Sequence, residues 1–271
     1  LCTRRCRVNR AAGETGVCRV GRLASVASAS PHFGEEKPLV GTRGSGTIFF
    51  SGCSLRCTFC QNRDISHDAV GPEMDAAGLA RLMLELQSHG CLNINLVTPS
   101  HVVPQILEAL NVAIGRGLDI PVVYNSSGYE RVETLRLLDG AVDIYMPDFK
   151  FWDNEGSEWT DGVSDYADVA REAVREMHRQ VGDLHLVRGV AVSGLLVRHL
   201  VMPRGAASSA EIMRFLASLS PETYVNIMGQ YRPVGTARRD PVIGTTVTYE
   251  EVADAVDAAH DAGLRRIHGH L

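Results

Sequence analysis

The chain has 271 residues, 45% of them hydrophobic and 22% charged, and a formal net charge of −5. This length is enough for one large domain with a substantial core, and the composition is typical of globular proteins. The net negative charge argues against nucleic acid as a partner, and the longest apolar runs, 47–50 and 190–197, are too short to cross a bilayer.

The first forty residues differ from the rest of the sequence. Residues 1–40 are rich in Arg, Gly and Ser and have no sustained periodicity, which predicts an irregular extension. From about residue 47 onward, short β-branched runs alternate with helical patterns, as expected for βαβ units with a parallel sheet. We therefore predict two parts, an extension over residues 1–40 and an α/β barrel over residues 41–271.

Six strands and six helices are predicted in the barrel. The strands are expected near 47–51, 91–97, 120–125, 142–148, 196–202 and 224–229. The helices are expected near 75–89, 101–116, 130–139, 164–181, 208–219 and 249–262. Asp75 and Ser208 are predicted to cap helix starts, and Gly90, Gly117 and Gly263 follow helix ends. Right-handed crossovers would curl such strands into an open, partial (β/α)6 barrel of the TIM type.

Each predicted strand ends in a polar or unusual segment. In parallel barrels the chemistry lies at the carboxyl ends of the strands. The segments that follow the six strands are 53–60, 98–101, 125–128, 148–150, 202–204 and 230–231. We expect them to converge on one face of the barrel.

Asparagines alternate with apolar residues on two of the strands. Asn93 and Asn95 lie on the second predicted strand, and Asn226 lies on the sixth. If the apolar residues face the helices, these amides point into the barrel. Buried amides need partners, so they either line a wet or ligand-filled cavity or bond to one another.

The seven cysteines favour metal ligation over a disulfide framework, because their number is odd and they stand in tight clusters within a large domain. Cys53, Cys57 and Cys60 have C-x3-C-x2-C spacing, which allows three thiolates to hold three irons of a [4Fe-4S] cluster. The fourth iron would stay open to bind and reduce a small molecule. The alternative is a zinc site, which typically needs a fourth ligand. A low-potential cluster needs a reducing compartment, so we expect the cytoplasm.

This loop, with Gly52 before it and Gln61 and Asn62 after it, resembles the radical S-adenosylmethionine superfamily. It is most similar to the branch of pyruvate formate-lyase activating enzymes. Segments 93–99, 123–129 and 143–150 resemble an uncharacterised subgroup of that branch, and the resemblance covers nearly the whole chain. It implies the partial (β/α)6 barrel and a radical oxidoreductase. It also implies that the open iron chelates S-adenosylmethionine and that one electron releases a 5′-deoxyadenosyl radical.

The resemblance also implies contacts to the cofactor. Most members carry Gly-Gly-Glu after the second strand, whereas this chain has Val-Thr-Pro-Ser at 97–100, so Thr98 or Ser100 would substitute. The alternative is that these residues only end the strand and begin the helix. Asn125 and Ser126 would bind the ribose hydroxyls, or simply form a turn.

Candidate catalytic residues follow the fourth and fifth strands. Asp148 and Lys150 share one strand face, and the branch places the same Asp-x-Lys around the methionyl group. A structural ion pair is the alternative. Arg204 is predicted to grip a carboxylate of cofactor or substrate through its planar guanidinium. Arg198 is a weaker candidate for the same role, and a structural role is favoured for His199.

The other cysteines form a separate group. Cys2, Cys6 and Cys18 have C-x3-C-x11-C spacing and are a candidate second metal site, zinc or Fe–S, with free thiols as the alternative. Cys91 opens a strand and is predicted to be a small buried hydrophobe. Segment 151–170 is acidic with interleaved aromatics, and is expected to be a solvated loop, a lid or a docking surface.

Three functions follow from these patterns. The first is a radical enzyme that abstracts hydrogen from a glycine of a partner protein. The second is the same chemistry on a small molecule or peptide, and the third is a non-catalytic Fe–S or zinc protein. By family analogy the electron donor is a flavodoxin or ferredoxin.

Overall fold

The computed structural model describes residues 2–68 and 70–270. The strands are β1 (Ala24–His32), β2 (Ser45–Phe50), β3 (Glu73–Met74), β4 (Ile94–Val97), β5 (Val122–Ser126), β6 (Ile144–Pro147), β7 (His185–Val187), β8 (Val190–Leu200), β9 (Tyr224–Met228) and β10 (Arg266–His270). The helices are α1 (Lys37–Val40), α2 (Arg63–Asp68), α3 (Ala76–Ser88), α4 (Val103–Ile114), α5 (Val132–Leu137), α6 (Tyr166–Val181), α7 (Ser209–Leu219) and α8 (Tyr249–Asp261).

The strands form one mostly parallel sheet in the order β10-β9-β8-β6-β5-β4-β2-β1-β3. All pairs from β2 through β10 along this order are parallel. Three pairs are antiparallel: β1 with β2, β1 with β3, and β7 with β8. The predicted α/β class with a parallel sheet is therefore confirmed.

The predicted elements of the barrel each have a counterpart. The six predicted helices begin and end within about two residues of α3 to α8. The predicted strands correspond to β2, β4, β5, β6, β8 and β9, and β10 adds a seventh parallel strand. The expectation of an irregular segment over 1–40 is wrong for its second half, because β1 pairs with β2 there. The division into parts at residue 40 stays a prediction.

Helix capping follows the sequence at one predicted position and not at the other. The Asp75 side chain accepts a hydrogen bond from the backbone N–H of Gly78 at 2.8 Å. Ser208 does not cap α7; its φ is +54°, and its hydroxyl donates to Asp153 at 3.3 Å instead. Thr248 and Glu251 form a reciprocal capping box at the start of α8.

The faces of the central strands pack against different layers. Val122 belongs to the core under α3 and α4, whereas the next residue, Val123, packs against Leu39, Ile144 and Leu196. Leu39 comes from α1, which contacts β8. The short helix α1 thus packs against the face of the sheet opposite α3 and α4, near the amino ends of β5 and β6. The same face, near the carboxyl ends of the strands, carries the site described next.

None of the described helices is both long enough and apolar enough to cross a membrane.

Candidate active site

The loop that carries Cys53, Cys57 and Cys60 follows β2. Gly52 lies at φ +79°, and a Cβ at this position would stand 2.2 Å from the carbonyl oxygen of Cys18. Only glycine fits both the left-handed backbone and this close approach. The loop therefore leaves β2 directly against the N-terminal segment.

Hydrogen bonds from the segment after β6 hold the cysteine loop in place. The backbone N–H of Thr58 donates to the Trp159 carbonyl at 2.8 Å, and the N–H of Asp161 donates to the Leu55 carbonyl at 3.2 Å. The ring of Phe59 meets the edge of Phe151 at 6.0 Å. Segment 151–170 thus packs over the cysteine loop, with Phe151, Trp159 and Tyr166 buried, Trp152 half-buried and most of its carboxylates exposed.

Residues from five parallel strands line one cavity of about 170 Å³ together with the three cysteines. Phe49 comes from β2 and Val97 from β4, and the remaining strand residues come from β5, the end of β6 and β8. The sequence-predicted residues among the lining are Thr98, Asn125, Ser126, Asp148 and Lys150. The structure therefore brings together the cysteine loop and the ends of the second, third and fourth predicted strands.

Charged side chains that line this cavity are paired in a network. Lys150 Nζ lies 2.6 Å from Asp148 Oδ2, and Arg198 Nε donates to Asp148 Oδ1 at 2.8 Å. Arg198 Nη2 also donates to Asn125 Oδ1 at 2.8 Å, and Nη1 lies 3.7 Å from Glu36. The network links β5, β6 and β8 to Glu36 and orients Asn125 and Asp148, which line the cavity.

The charges of this network stabilise one another. Burial alone would raise the pKa of Asp148, but Arg198 and Lys150 together hold it below its ordinary value. Burial alone would lower the pKa of Lys150, but the Asp148 carboxylate raises it. Both groups are therefore ionised at neutral pH, and the cavity presents a fixed ammonium next to the thiols.

The thiols lie in surroundings that disfavour a bare thiolate. Burial raises the pKa of Cys53 and Cys57, with the Lys150 charge opposing it. Two donors already point at sulfur: Ser66 Oγ is 3.2 Å from Cys60 Sγ, and Leu55 N is 3.3 Å from Cys53 Sγ. Such thiols become thiolates when a bound metal supplies positive charge.

The donor set has the chemistry that a cluster needs. Cys53, Cys57 and Cys60 line one cavity, and thiolates are the ligands that hold iron–sulfur clusters. Among the described residues, no group of three His, Cys, Asp or Glu side chains is arranged to hold a single metal ion. Three soft donors fit a [4Fe-4S] cluster with one open iron.

Two predicted site residues lie elsewhere. Ser100 is buried outside the cavity lining, and its hydroxyl donates to Glu130. Arg204 is exposed, with φ +57°, and its backbone N–H donates to Glu251. Arg204 does not line this cavity, because β8 ends four residues earlier. Its predicted role in binding a carboxylate of cofactor or substrate stays a prediction.

Arg198 takes the place that the sequence suggested for Arg204. Its exposed fraction is 18%, and it faces the cavity because it alternates with Val197 and His199 along β8. This alternation along the strand could have identified Arg198 as a cavity residue from the sequence. The approach of Glu36 from the N-terminal segment had no signal in the sequence, since only the tertiary fold brings residues 36 and 198 together.

His199 has a structural role. Its Nδ1 lies 2.8 Å from the Phe149 carbonyl and its Nε2 lies 2.8 Å from Ser209 Oγ. Burial lowers its pKa to about 4, so the ring stays neutral. Tyr231 also packs, with its hydroxyl donating to the Ile243 carbonyl at 2.7 Å.

The interior asparagines behave differently from one another. Asn93 is satisfied, because it donates to the Leu39 carbonyl at 2.8 Å and accepts from Ser45 at 2.6 Å. Asn226 donates to Glu36 at 3.1 Å. In the part of the chain that the structure describes, Asn226 Oδ1 and Glu36 Oε2 have no hydrogen-bond partner. Asn95 is oriented toward the Glu35 carboxyl and opposes the burial that raises the pKa of Glu35. The two unpartnered buried oxygens require water or a ligand.

The N-terminal cysteines line a second, larger cavity of about 420 Å³. Cys2, Cys6 and Cys18 share it with five arginines, and Arg10 Nη2 lies 3.0 Å from Cys18 Sγ. The thiols stand in one place, but the described residues show no arrangement for a single metal ion. The second metal site therefore stays a prediction. Cys91 is buried in the core, as expected.

Comparison with known proteins decides the family. A family model of the radical SAM superfamily matches residues 47–199, more than half of the chain. The chain belongs to the radical SAM superfamily. It is also 35% identical to an uncharacterized protein of Methanocaldococcus jannaschii over 275 aligned positions, which cover 99% of this chain and 76% of that protein. Membership implies a radical SAM enzyme with a [4Fe-4S] cluster and S-adenosylmethionine, and it leaves the substrate open.

Proposed function

We propose that Cys53, Cys57 and Cys60 hold the cluster and that the adjoining cavity binds S-adenosylmethionine for reductive cleavage. The observation that carries this proposal is the convergence of the three thiols with Asn125, Asp148, Lys150 and Arg198 on one cavity. When bound, the cluster supplies one electron, which splits the sulfonium and releases a 5′-deoxyadenosyl radical.

The residues around the thiols would bind and orient the cofactor. Thr98 and Ser126 offer hydroxyls, and Asn125 offers an amide whose oxygen is already fixed by Arg198. Asp148 would accept a hydrogen bond from an ammonium group, and Lys150 would attract a carboxylate. Because the Asp148–Lys150 pair is held by Arg198, these groups lose little freedom when the ligand binds. Ser100 would act only indirectly, through Glu130.

For the hydrogen donor, we propose a glycine of a glycyl-radical-type protein. The support is the resemblance of the sequence to the activating-enzyme branch. The chain would then be an activase, and the acidic, exposed side of segment 151–170, next to the cysteine loop, would be available to a partner protein.

A small molecule or peptide is the second candidate substrate. The buried oxygens Asn226 Oδ1 and Glu36 Oε2 favour it, because they have no partner among the described residues. Both oxygens are acceptors, so a ligand that reached them would bring hydrogen-bond donors.

The first experiment tests the site. The cluster is reconstituted without oxygen, dithionite and S-adenosylmethionine are added, and 5′-deoxyadenosine is measured with iron per chain. Cys57→Ala is expected to lower nucleoside formation at least about 1,000-fold and to remove most of the iron, because one of three thiolates is lost. Cys91→Ala, which removes a buried thiol outside the site, is the matched control. It is expected to keep nucleoside formation and iron per chain within about twofold of wild type.

Retained nucleoside formation in Cys57→Ala would contradict the cluster assignment. No cleavage by a fully loaded wild-type enzyme would reject the proposed chemistry. To choose between the substrates, candidate proteins are added and a protein glycyl radical is sought by electron paramagnetic resonance. A product built on a small molecule alone would reject the activase proposal.

A further inference from the structure

The electrostatics of the N-terminal segment are opposite to those of the rest of the chain. Residues 1–22 contain six arginines and one glutamate, a net charge of +5, so the other 249 residues carry a net charge of −10. Arg5, Arg7, Arg19 and Arg22 are exposed. A positive surface on a negative protein is a feature that steers and orients a negative partner.

Two of these arginines, Arg5 and Arg7, have no close ion-pair partner among the described residues. Arg22 is paired with Glu108 at 3.0 Å, and Arg19 lies 3.9 Å from Asp68. Within residues 2–68 and 70–270, no ion pair of 4.0 Å or less involves Arg5 or Arg7. Both have a left-handed backbone, with φ of +46° and +57°. Such strained positions are concentrated at functional surfaces. We define residues 4–10, 19 and 22 as the arginine face.

The arginine face lies directly behind the cysteine loop. The Cys18 carbonyl meets Gly52, one residue before Cys53, with no side chain between them. Arg56 of the loop donates to the Val17 carbonyl at 3.4 Å. His101 lies 2.8 Å from the Ser51 carbonyl, and Arg10 donates to the His101 carbonyl. Val17 and Cys18 therefore contact the loop directly, and Arg10 of the face is linked to it through His101.

The other sides of the loop are occupied. The cavity of the candidate active site lies on one side and shares no lining residue with the arginine-lined cavity. The aromatic cover of Phe59, Phe151 and Trp159 lies on another. A partner on the arginine face can therefore reach the cluster position without displacing cofactor or substrate.

We propose that the arginine face docks an acidic one-electron carrier protein, which delivers the electron to the cluster across the Cys18–Gly52 contact. This proposal rests on the proposed function. One electron passes from the carrier to the cluster, so the carrier is oxidised and the cluster reduced by one electron. No bond forms or breaks in this step.

The test uses the reconstituted enzyme and a purified acidic flavodoxin as the probe. Binding of the oxidised flavodoxin is measured by the fluorescence anisotropy of its flavin at several salt concentrations. The wild-type dissociation constant is expected to rise with salt. Arg5→Glu combined with Arg7→Glu is expected to raise it at least about tenfold and to weaken its salt dependence.

Arg116→Glu combined with Arg188→Glu is the matched control. Both arginines are exposed and precede strands at the opposite end of the sheet, and Arg188 also has a left-handed backbone, with φ +53°. The change in net charge is identical, so flavodoxin binding by this variant should stay within about twofold of wild type. Circular dichroism and iron per chain establish that both variants are folded and loaded.

A second readout compares reductants. For each variant, the rate of 5′-deoxyadenosine formation with reduced flavodoxin is divided by the rate with photoreduced deazaflavin, a small reductant that needs no docking face. This ratio is expected to fall at least about tenfold in the Arg5/Arg7 variant only.

Normal flavodoxin binding by the Arg5/Arg7 variant, or an equal loss in the control, would overturn the proposal. So would loss of binding to a protein substrate with flavodoxin binding intact, because the face would then belong to the substrate. If the wild-type enzyme makes no nucleoside with either reductant, the proposed function fails, and the binding measurement still decides the docking face.

Discussion

The chain contains two groups of three cysteines, and their surroundings differ. Cys53, Cys57 and Cys60 line a small cavity beside a half-buried carboxylate that is paired with both an ammonium and a guanidinium. Cys2, Cys6 and Cys18 line a cavity of more than twice the volume, among five arginines, and Cys6 is exposed.

This difference suits the first group of cysteines to catalysis and the second group to recognition of a partner. In the first group, paired charges of both signs create oriented binding groups in a site from which water is largely excluded. In the second group, an excess of positive charge lies near solvent, where it attracts a partner and orients little inside the protein. Spacing alone would make the two groups look alike. Four changes test the contrast, with the largest expected effect first and the smallest last.

The largest effect is expected for Arg198→Met. It leaves Asp148 and Glu36 buried with less compensation, so unfolding free energy should fall by about 3–5 kcal/mol. The rate of 5′-deoxyadenosine formation should also fall, because Asn125 and Asp148 lose their common partner. Denaturant unfolding and the nucleoside assay measure both. Arg204→Met is the control and should change stability by less than about 0.5 kcal/mol. Equal effects at the two positions would refute the assignment of the network.

Gly52→Ala tests the contact that joins the two cysteine groups. The new Cβ would meet the Cys18 carbonyl at 2.2 Å on a backbone with φ +79°, so we expect a loss of at least about 2 kcal/mol. Gly117→Ala also has a positive φ, but no atom lies within 4 Å of its added Cβ, so it reports backbone strain alone. A Gly52→Ala variant no less stable than Gly117→Ala would show that the close approach is absent.

The pKa of Glu130 predicts a pH dependence of the unfolding free energy. Burial raises its pKa from 4.5 to about 7, and it accepts from Ser100. Between these values the folded state keeps a proton that the unfolded state releases. The contribution of Glu130 to stability is therefore complete below pH 4.5 and falls by about 3 kcal/mol as pH rises to 7 and above.

Glu130→Gln should remove that part of the pH dependence, because the amide cannot ionise. Unfolding free energies measured between pH 5 and 8 should show the wild type losing stability relative to the variant as pH rises. Parallel curves for the two proteins would mean that Glu130 titrates near its ordinary value.

The smallest effect is expected for Cys6→Ser. This thiol is exposed and belongs to no ion-binding arrangement among the described residues, so stability should change by less than about 0.5 kcal/mol. Iron and zinc per chain should equal those of the wild type. Loss of about one metal equivalent would instead establish the second metal site.

Much of the fold was predictable because local patterns and the global sheet agree. The β-branched runs and helical periodicities predicted α3 to α8 and six parallel strands. β1 was missed because its sequence, Ala-Ser-Val-Ala-Ser-Ala-Ser-Pro-His, is poor in large apolar residues. It is a strand because β2 and β3 pair with it on either side. Pairing of this kind is a tertiary effect that propensity does not report.

The site was predictable in part for the same reason. Cys53 and Asp148 follow parallel strands and Asn125 lies at the carboxyl end of one, and parallel strands bring these ends together. Arg198 lies within β8 and lines the cavity, whereas Arg204 lies four residues beyond the end of β8 and is exposed. The sequence did not show where β8 ends.

By itself, the sequence determined the cysteine spacing, the order of the strands along the chain and the positive charge of residues 1–22. These properties are local or additive, so they can be read without a fold. Only the tertiary structure decided that Arg198 and Glu36 complete the charged network and that Cys18 lies against Gly52. Those contacts join residues far apart in the chain. They depend on how the sheet curves and how the N-terminal segment packs against it, which no local pattern encodes.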